Sequence, residues 1–289
     1  MRYGLLTYST TNIGDEIQSV AARRFLPAVD VYIDRDSLNR TGESEAFKII
    51  LNGWFTHRPD NWPPAPQIRP LFVSFHITRE IYRANVKSLL PSAYLVRGQA
   101  LDYLRSHQPI GCRDPATAEL LENHGVDAYF SGCLTLTLEN RWPQRGNCTY
   151  CVDVPELIAR YVADKAEGPM IQVTHRVLPG ELQTIEARSG RAEELLDKYA
   201  TAKLVVTSRL HCALPCLALG TPVVFIAESP DNYRLRGLCE LTRHYTTEEV
   251  LAGGADDVDW RDPKPNPVPI DRFRRDLAER CSLFLLGNS

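Results

Sequence analysis

Short apolar runs alternate with amphipathic segments along most of the 289-residue chain, and this alternation restricts the fold more than any other feature. Tyr3–Tyr8 reads as a strand, followed by the polar turn "STTNIGD" and a helix from Glu16 to about Phe25. Ile17, Val20, Ala21 and Phe25 recur there at helical spacing. Further strands are predicted at 28–34, 47–55, 70–78, 109–112 and 126–132, with helices opening at "NVKSLL" (85–90) and covering 98–107 and 113–125. The last of these carries its own boundary marks: Asp114 as N-cap, Pro115 at the first helical position and Gly125 at the end. Strands and helices in this order form a mostly parallel sheet with helical cover.

The pattern breaks at "ENRWPQRGNCTY" (139–150), read as a linker, and then resumes. Strands follow at 148–154, 169–177, 203–208 and 221–227. Helices are expected at 155–165, 188–202, 211–220, 246–252 and 270–286. The expected architecture is α/β: two Rossmann-like domains, 1–140 and 141–289, facing a central cleft, with the last helix packing back on the N-terminal domain.

The charge balance, 33 Lys and Arg against 36 Asp and Glu, leaves no basic footprint for nucleic acid. "MRYGLLTYST" lacks the long apolar stretch of a secretory signal, and no run reaches membrane-spanning length, so a cytoplasmic protein is expected. Most of the eight cysteines lie in apolar runs. Cys148 and Cys151 form a lone CxxC without the second pair of a zinc ribbon, and two unrelated thiols are the simpler reading. No metal-ligand set is read from the sequence.

In open α/β sheets, ligands bind beyond the carboxyl ends of the strands, so the strand-to-helix turns are the places for chemistry. The first turn offers Asn12, Gly14 and Asp15, with Gly14 allowing close backbone approach; the plainer reading makes Asp15 an N-cap. The second places Arg113 at a helix start, against the helix dipole, which suits a bound anion; the plainer reading pairs it with Asp114 or Glu119. The third, "TSRLH", puts Ser208, Arg209 and His211 at the end of an apolar strand, where Arg can fork an anion and His can move a proton. Less distinctive are His175 and Arg176, His76, Arg234 and Arg236, and Trp54, an aromatic side chain of the kind that stacks on sugars.

Three segments, "TNIGDEIQS", "GCRDPATAELLENHGVDAYFSGCLTLTL" and "TSRLHCALPCLALGTPVVFI", together resemble the polysaccharide pyruvyl transferase family. The resemblance runs from Tyr3 to about Ile226. It implies a glycosyltransferase-B-like fold and transfer of the enolpyruvyl unit of phosphoenolpyruvate to a sugar of a glycan or glycolipid precursor. Phosphate leaves and a pyruvate ketal forms. It further implies that Arg113 and Arg209 hold phosphoenolpyruvate and that His211 is the general acid. A base must then take the hydroxyl proton, and Asp15 in the first turn is the candidate. No cofactor is expected beyond the donor substrate itself, and the partners are a small-molecule donor and a glycan acceptor. At 289 residues the chain is compact for this family. Two rival readings are a nucleotide-sugar glycosyltransferase, with Glu228 on the ribose, and a non-catalytic carbohydrate-binding homologue.

Overall fold

The computed structural model describes residues 1–79, 90–142, 144–178, 180–229 and 232–287. In chain order the elements are β1 (Arg2–Thr7), α1 (Gly14–Arg23), β2 (Val31–Asp34), β3 (Phe47–Phe55), β4 (Ile68–Ile77), α2 (Pro91–Tyr94), α3 (Gly98–Ser106), β5 (Ile110–Cys112), α4 (Pro115–Glu122) and β6 (Ala128–Phe130). There follow β7 (Thr149–Val152), α5 (Glu156–Lys165), β8 (Met170–Val173), α6 (Ile185–Thr201), β9 (Leu204–Thr207), α7 (Leu210–Ala218), β10 (Val223–Ile226), β11 (Arg243–Tyr245), α8 (Thr247–Leu251) and α9 (Asp271–Leu286). The helix expected to open at 85 lies outside the described residues.

Two compact units form, and each carries its own parallel sheet. The first comprises Met1–Ser9, Gln18–Leu134 and Arg275–Ser289. Its six strands run in the order β2-β1-β3-β4-β5-β6, all parallel. The central strand β3 is buried at all nine positions, as expected of an inner strand of a parallel sheet. Phe47, Phe55, Phe72, Phe75 and Trp62 fill the core around it. Trp54 is buried rather than open to a sugar. The Arg35 guanidinium lies 5.2 Å from its ring centroid, and His57 packs against it at 4.4 Å. A cation already satisfies the electron-rich face that a ligand would use.

Lys48 is the charged residue of the largely apolar strand β3. It is buried, and its Nζ donates to the Phe284 carbonyl at 2.7 Å and also to that of Gly287. These carbonyls end α9, where a helix has no backbone donors of its own and where a cation matches the dipole. Burial of one ammonium therefore ties the C-terminal helix into the first unit. Lys48→Met leaves those carbonyls without their donor and is expected to cost about 1–3 kcal/mol, read from urea unfolding curves.

The second unit comprises Thr10–Ile17 and Thr135–Arg274, with a five-stranded parallel sheet in the order β11-β10-β9-β7-β8. Strands β9 and β10 are buried throughout. The segment 139–150 is bonded into this unit. Asn140 donates to the Leu219 carbonyl at 3.1 Å, and Arg145 donates to Thr221 Oγ1 at 2.7 Å. Strand β11 has no counterpart in the sequence reading: three half-buried residues at a sheet edge carry no periodicity.

Candidate functional site

The second unit gathers most of the candidate residues through one carboxylate, Asp153, which follows β7. Its backbone stands at φ 51°, a left-handed conformation that costs energy for a non-glycine residue. Every oxygen of its side chain is used. Oδ1 accepts from Thr174 Oγ1 at 2.6 Å, and Oδ2 accepts from the His175 amide at 3.0 Å and from Arg209 Nε at 2.7 Å. Burial works to raise its pKa, but the bonds from Thr174, His175 and Arg209 outweigh burial and hold it below its ordinary value. Ser208 closes the same knot, its hydroxyl donating to the Asp153 carbonyl at 2.5 Å. Arg209 is thus fixed along one edge, with about a third of its side chain exposed.

Arg209 is also the N-cap of α7, in extended conformation, and its carbonyl accepts from the amides of Cys212 and Ala213. His211 sits inside the first turn yet is not helical, at φ −80° and ψ 17°. Pro215, four residues on, supplies the physical reason. It has no N–H to give to the His211 carbonyl, and its ring crowds that oxygen. The turn opens at His211, in the bridge region where active-site residues often sit.

The turn before α1 packs against this helix start. A Cβ added to Gly14 would lie 3.2 Å from His211 Cβ and 3.1 Å from Asn12 Oδ1, so the two turns are in tight contact here and a side chain would push them apart by a few tenths of an ångström. Asn12 Oδ1 accepts from the Gly14 amide at 3.1 Å. Asn12 also bridges to Arg176, and the Ile13 amide donates to the His175 carbonyl at 2.9 Å. Helix α1 begins at Gly14, two residues before the sequence reading placed it, so Asp15 is not its N-cap. The Asp15 carboxylate instead accepts from Thr10 Oγ1 at 2.7 Å. Through Gly14 and His211, the turn carrying Asn12 and Asp15 adjoins the helix start that carries Ser208, Arg209 and His211.

His175 joins them through its backbone. Its ring is 1% exposed and has Nε2 2.7 Å from the Tyr199 hydroxyl. Arg234 lies in the turn after β10, half-buried, with its amide donating to Asn232 Oδ1 at 3.0 Å. Arg113 belongs to the first unit. It is 2% exposed, and its Nε lies 3.9 Å from Asp114 Oδ2, so a pairing with Asp114 is present. Asp114 is the N-cap of α4, accepting from the Thr117 amide, and its Oδ2 lies 2.5 Å from His76 Nδ1. Burial pushes the Asp114 pKa up, while His76 and Arg113 pull it below its ordinary value. Among the described residues no group of three or more His, Cys, Asp or Glu is placed to hold a metal ion, and no helix is long and apolar enough to cross a membrane.

Asp153, Glu16 and Arg188 are the site residues that the sequence reading passed over. Glu16 Oε1 accepts from Arg188 Nε, and the Arg188 guanidinium also donates to the Thr10 carbonyl at 2.8 Å. Asp153 had a visible signal: an acidic residue directly after an apolar strand, the position already used to select the other turns.

Two Rossmann-like α/β units, with basic and acidic side chains clustered beyond parallel strand ends, define the class of protein. The family model for polysaccharide pyruvyl transferase matches residues 12–230, more than half of the chain, and the chain belongs to that family. Among solved structures, the chain is similar to a functionally uncharacterised protein from Klebsiella pneumoniae. The two are 14% identical over 81% of this chain and 87% of that one, with a TM-score of 0.47. No curated protein matches the chain.

Two outcomes test this geometry. Asp153 has a depressed pKa, so its stabilisation is present above the unfolded carboxylate value and is lost as pH falls through the lower folded value. Asp153→Asn should therefore show a shallower loss of stability below about pH 4, measured as melting temperature against pH. Pro215→Ala returns a donor to the His211 carbonyl; the melting temperature should hold or rise while turnover falls.

Proposed function

We propose that this protein transfers the pyruvyl group of phosphoenolpyruvate to a sugar hydroxyl pair of a glycan or glycolipid precursor, forming a ketal and releasing phosphate. The observation that carries the reading is the Arg209–His211 arrangement. A guanidinium held on one edge by Asp153 adjoins a histidine turned out of its helix beside an acidic turn. The family match supports the transferase class, and the donor is part of this proposal.

Arg209 keeps donors beyond the one committed to Asp153, and a planar fork of this kind suits a carboxylate or phosphate oxygen pair. His211, protonated, delivers its proton to the methylene carbon of the enolpyruvyl group. The double-bond electrons form the new C–H bond, and positive charge develops at the carbon bearing the phosphate ester oxygen. One sugar hydroxyl attacks that carbon and loses its proton to a base, with Asp15 as the candidate. The second hydroxyl oxygen then bonds to the same carbon as the carbon–oxygen bond to phosphate breaks, and its proton leaves with the phosphate, closing the ring. Each step moves protons between groups already present and consumes no oxidant or reductant.

The account predicts sugar-dependent release of phosphate from phosphoenolpyruvate. His211→Ala should lower turnover by roughly 10²–10⁴-fold with donor affinity little changed. Arg209→Ala should chiefly raise KM for the donor. Nucleotide release from a nucleotide sugar, without phosphate release from phosphoenolpyruvate, would replace this reading with glycosyl transfer.

A further inference from the structure

Glu16 is a carboxylate in the buried helix α1. It is 7% exposed, lies in the first turn of α1, and Oε1 is paired with Arg188. Its other oxygen, Oε2, is buried without a hydrogen-bond partner. A half-satisfied buried carboxylate is costly, and such a group is kept where its charge has work to do. Arg188 reaches it from α6 and divides its donors between Glu16 and the Thr10 carbonyl. Thr10 in turn donates its hydroxyl to Asp15. From Glu16 the chain of contacts therefore runs through Arg188 and Thr10 to the candidate base. The same short turn carries Gly14, which packs against His211.

We propose that Glu16 is a positioning residue: paired with Arg188, it locks the Thr10–Gly14 turn against His211, and when the pair is broken the turn is released. This rests on the reading of His211 as the acid that protonates the donor. Neither Glu16 nor Arg188 touches substrate. Their effect is transmitted through the hydrogen bonds to Thr10 and Asp15.

The lock responds to pH. Burial pushes the Glu16 pKa up to about 7, against the opposing pull of Arg188. The charged groups facing it are Arg188, from the helix packed on this turn, and Asp15 beside it, whose negative charge adds to the upward shift. Above about pH 7 the carboxylate is charged and the pair with Arg188 is complete; below, the carboxyl is neutral and the pair is lost. The linkage sign is opposite to that of Asp153. A folded carboxyl that holds its proton more tightly than the unfolded one stabilises the fold at low pH, and that contribution fades as pH rises toward 7.

The test has two arms on the full chain. In the first, backbone amide NMR signals of residues 11–16 are followed from pH 5.5 to 8.5 without substrate. The wild type should show a shared inflection near pH 7, absent in Glu16→Gln. No inflection in the wild type, or one that survives in Glu16→Gln, overturns the proposal. In the second, phosphate release from phosphoenolpyruvate is measured against pH. Glu16→Gln should lower kcat by up to roughly 100-fold, the scale of a misplaced catalytic group, with donor KM unchanged and the acidic limb near pH 7 gone. Arg188→Lys, which keeps the charge but not the fork, should retain part of the rate. An unchanged kcat and pH profile in Glu16→Gln would also overturn it. If the wild type releases no phosphate, the functional reading fails, and the NMR arm still decides whether Glu16 controls the turn.

Discussion

The second unit depends on one half-buried, fully bonded charge. Asp153 ends β7 in a backbone conformation that few non-glycine residues adopt, and it joins three segments that are distant in sequence. Thr174 and His175 come from the end of β8, and Arg209 from the start of α7. A carboxylate withdrawn from water, even in part, is costly unless it is bonded, and here three donors share it. That mutual requirement sets where β8 ends and where α7 begins. It also makes Arg209 a preorganised cation rather than a mobile surface side chain, which is what anion recognition needs.

Around that anchor, two local devices set His211. Pro215 denies it a helical hydrogen bond and opens the turn, and Gly14 lets the loop before α1 approach without a side chain between them. Neither device contributes chemistry. Both are backbone solutions to placing an imidazole beside an acidic turn at a helix start. Glu16 and Arg188 extend the arrangement by one layer and give it a charge-dependent setting.

Most of the fold was legible because strands and helices differ in period. The run 47–55 reads as a strand and is β3 over the same residues; 98–107 and 155–165 read as helices and match α3 and α5 within a residue or so at either end. Asp114 caps α4 as its spacing to Pro115 implied. What escaped was short or long-range. β11 is three residues at an edge. The burial of Trp54 under Arg35 and the embedding of Lys48 at the end of α9 depend on partners far apart in sequence. In the site, Arg209, His211 and the 12–15 turn stood out by position at strand and helix ends. Glu16 and Arg188 do not, because their importance lies in whom they bond, which no single-sequence pattern encodes; Asp153 carries only the signal of its place after an apolar strand. His175 was singled out for its ring, whereas its backbone does the joining.

The central claim is that Arg209 and His211 form the anion-handling, proton-delivering part of a pyruvyl transferase site. A crystal structure of the protein soaked with phosphoenolpyruvate tests it most directly. The account predicts donor density with an oxygen pair on the Arg209 guanidinium and the methylene carbon beside the His211 ring. Density elsewhere, with Arg209 and His211 both free of donor, would contradict it.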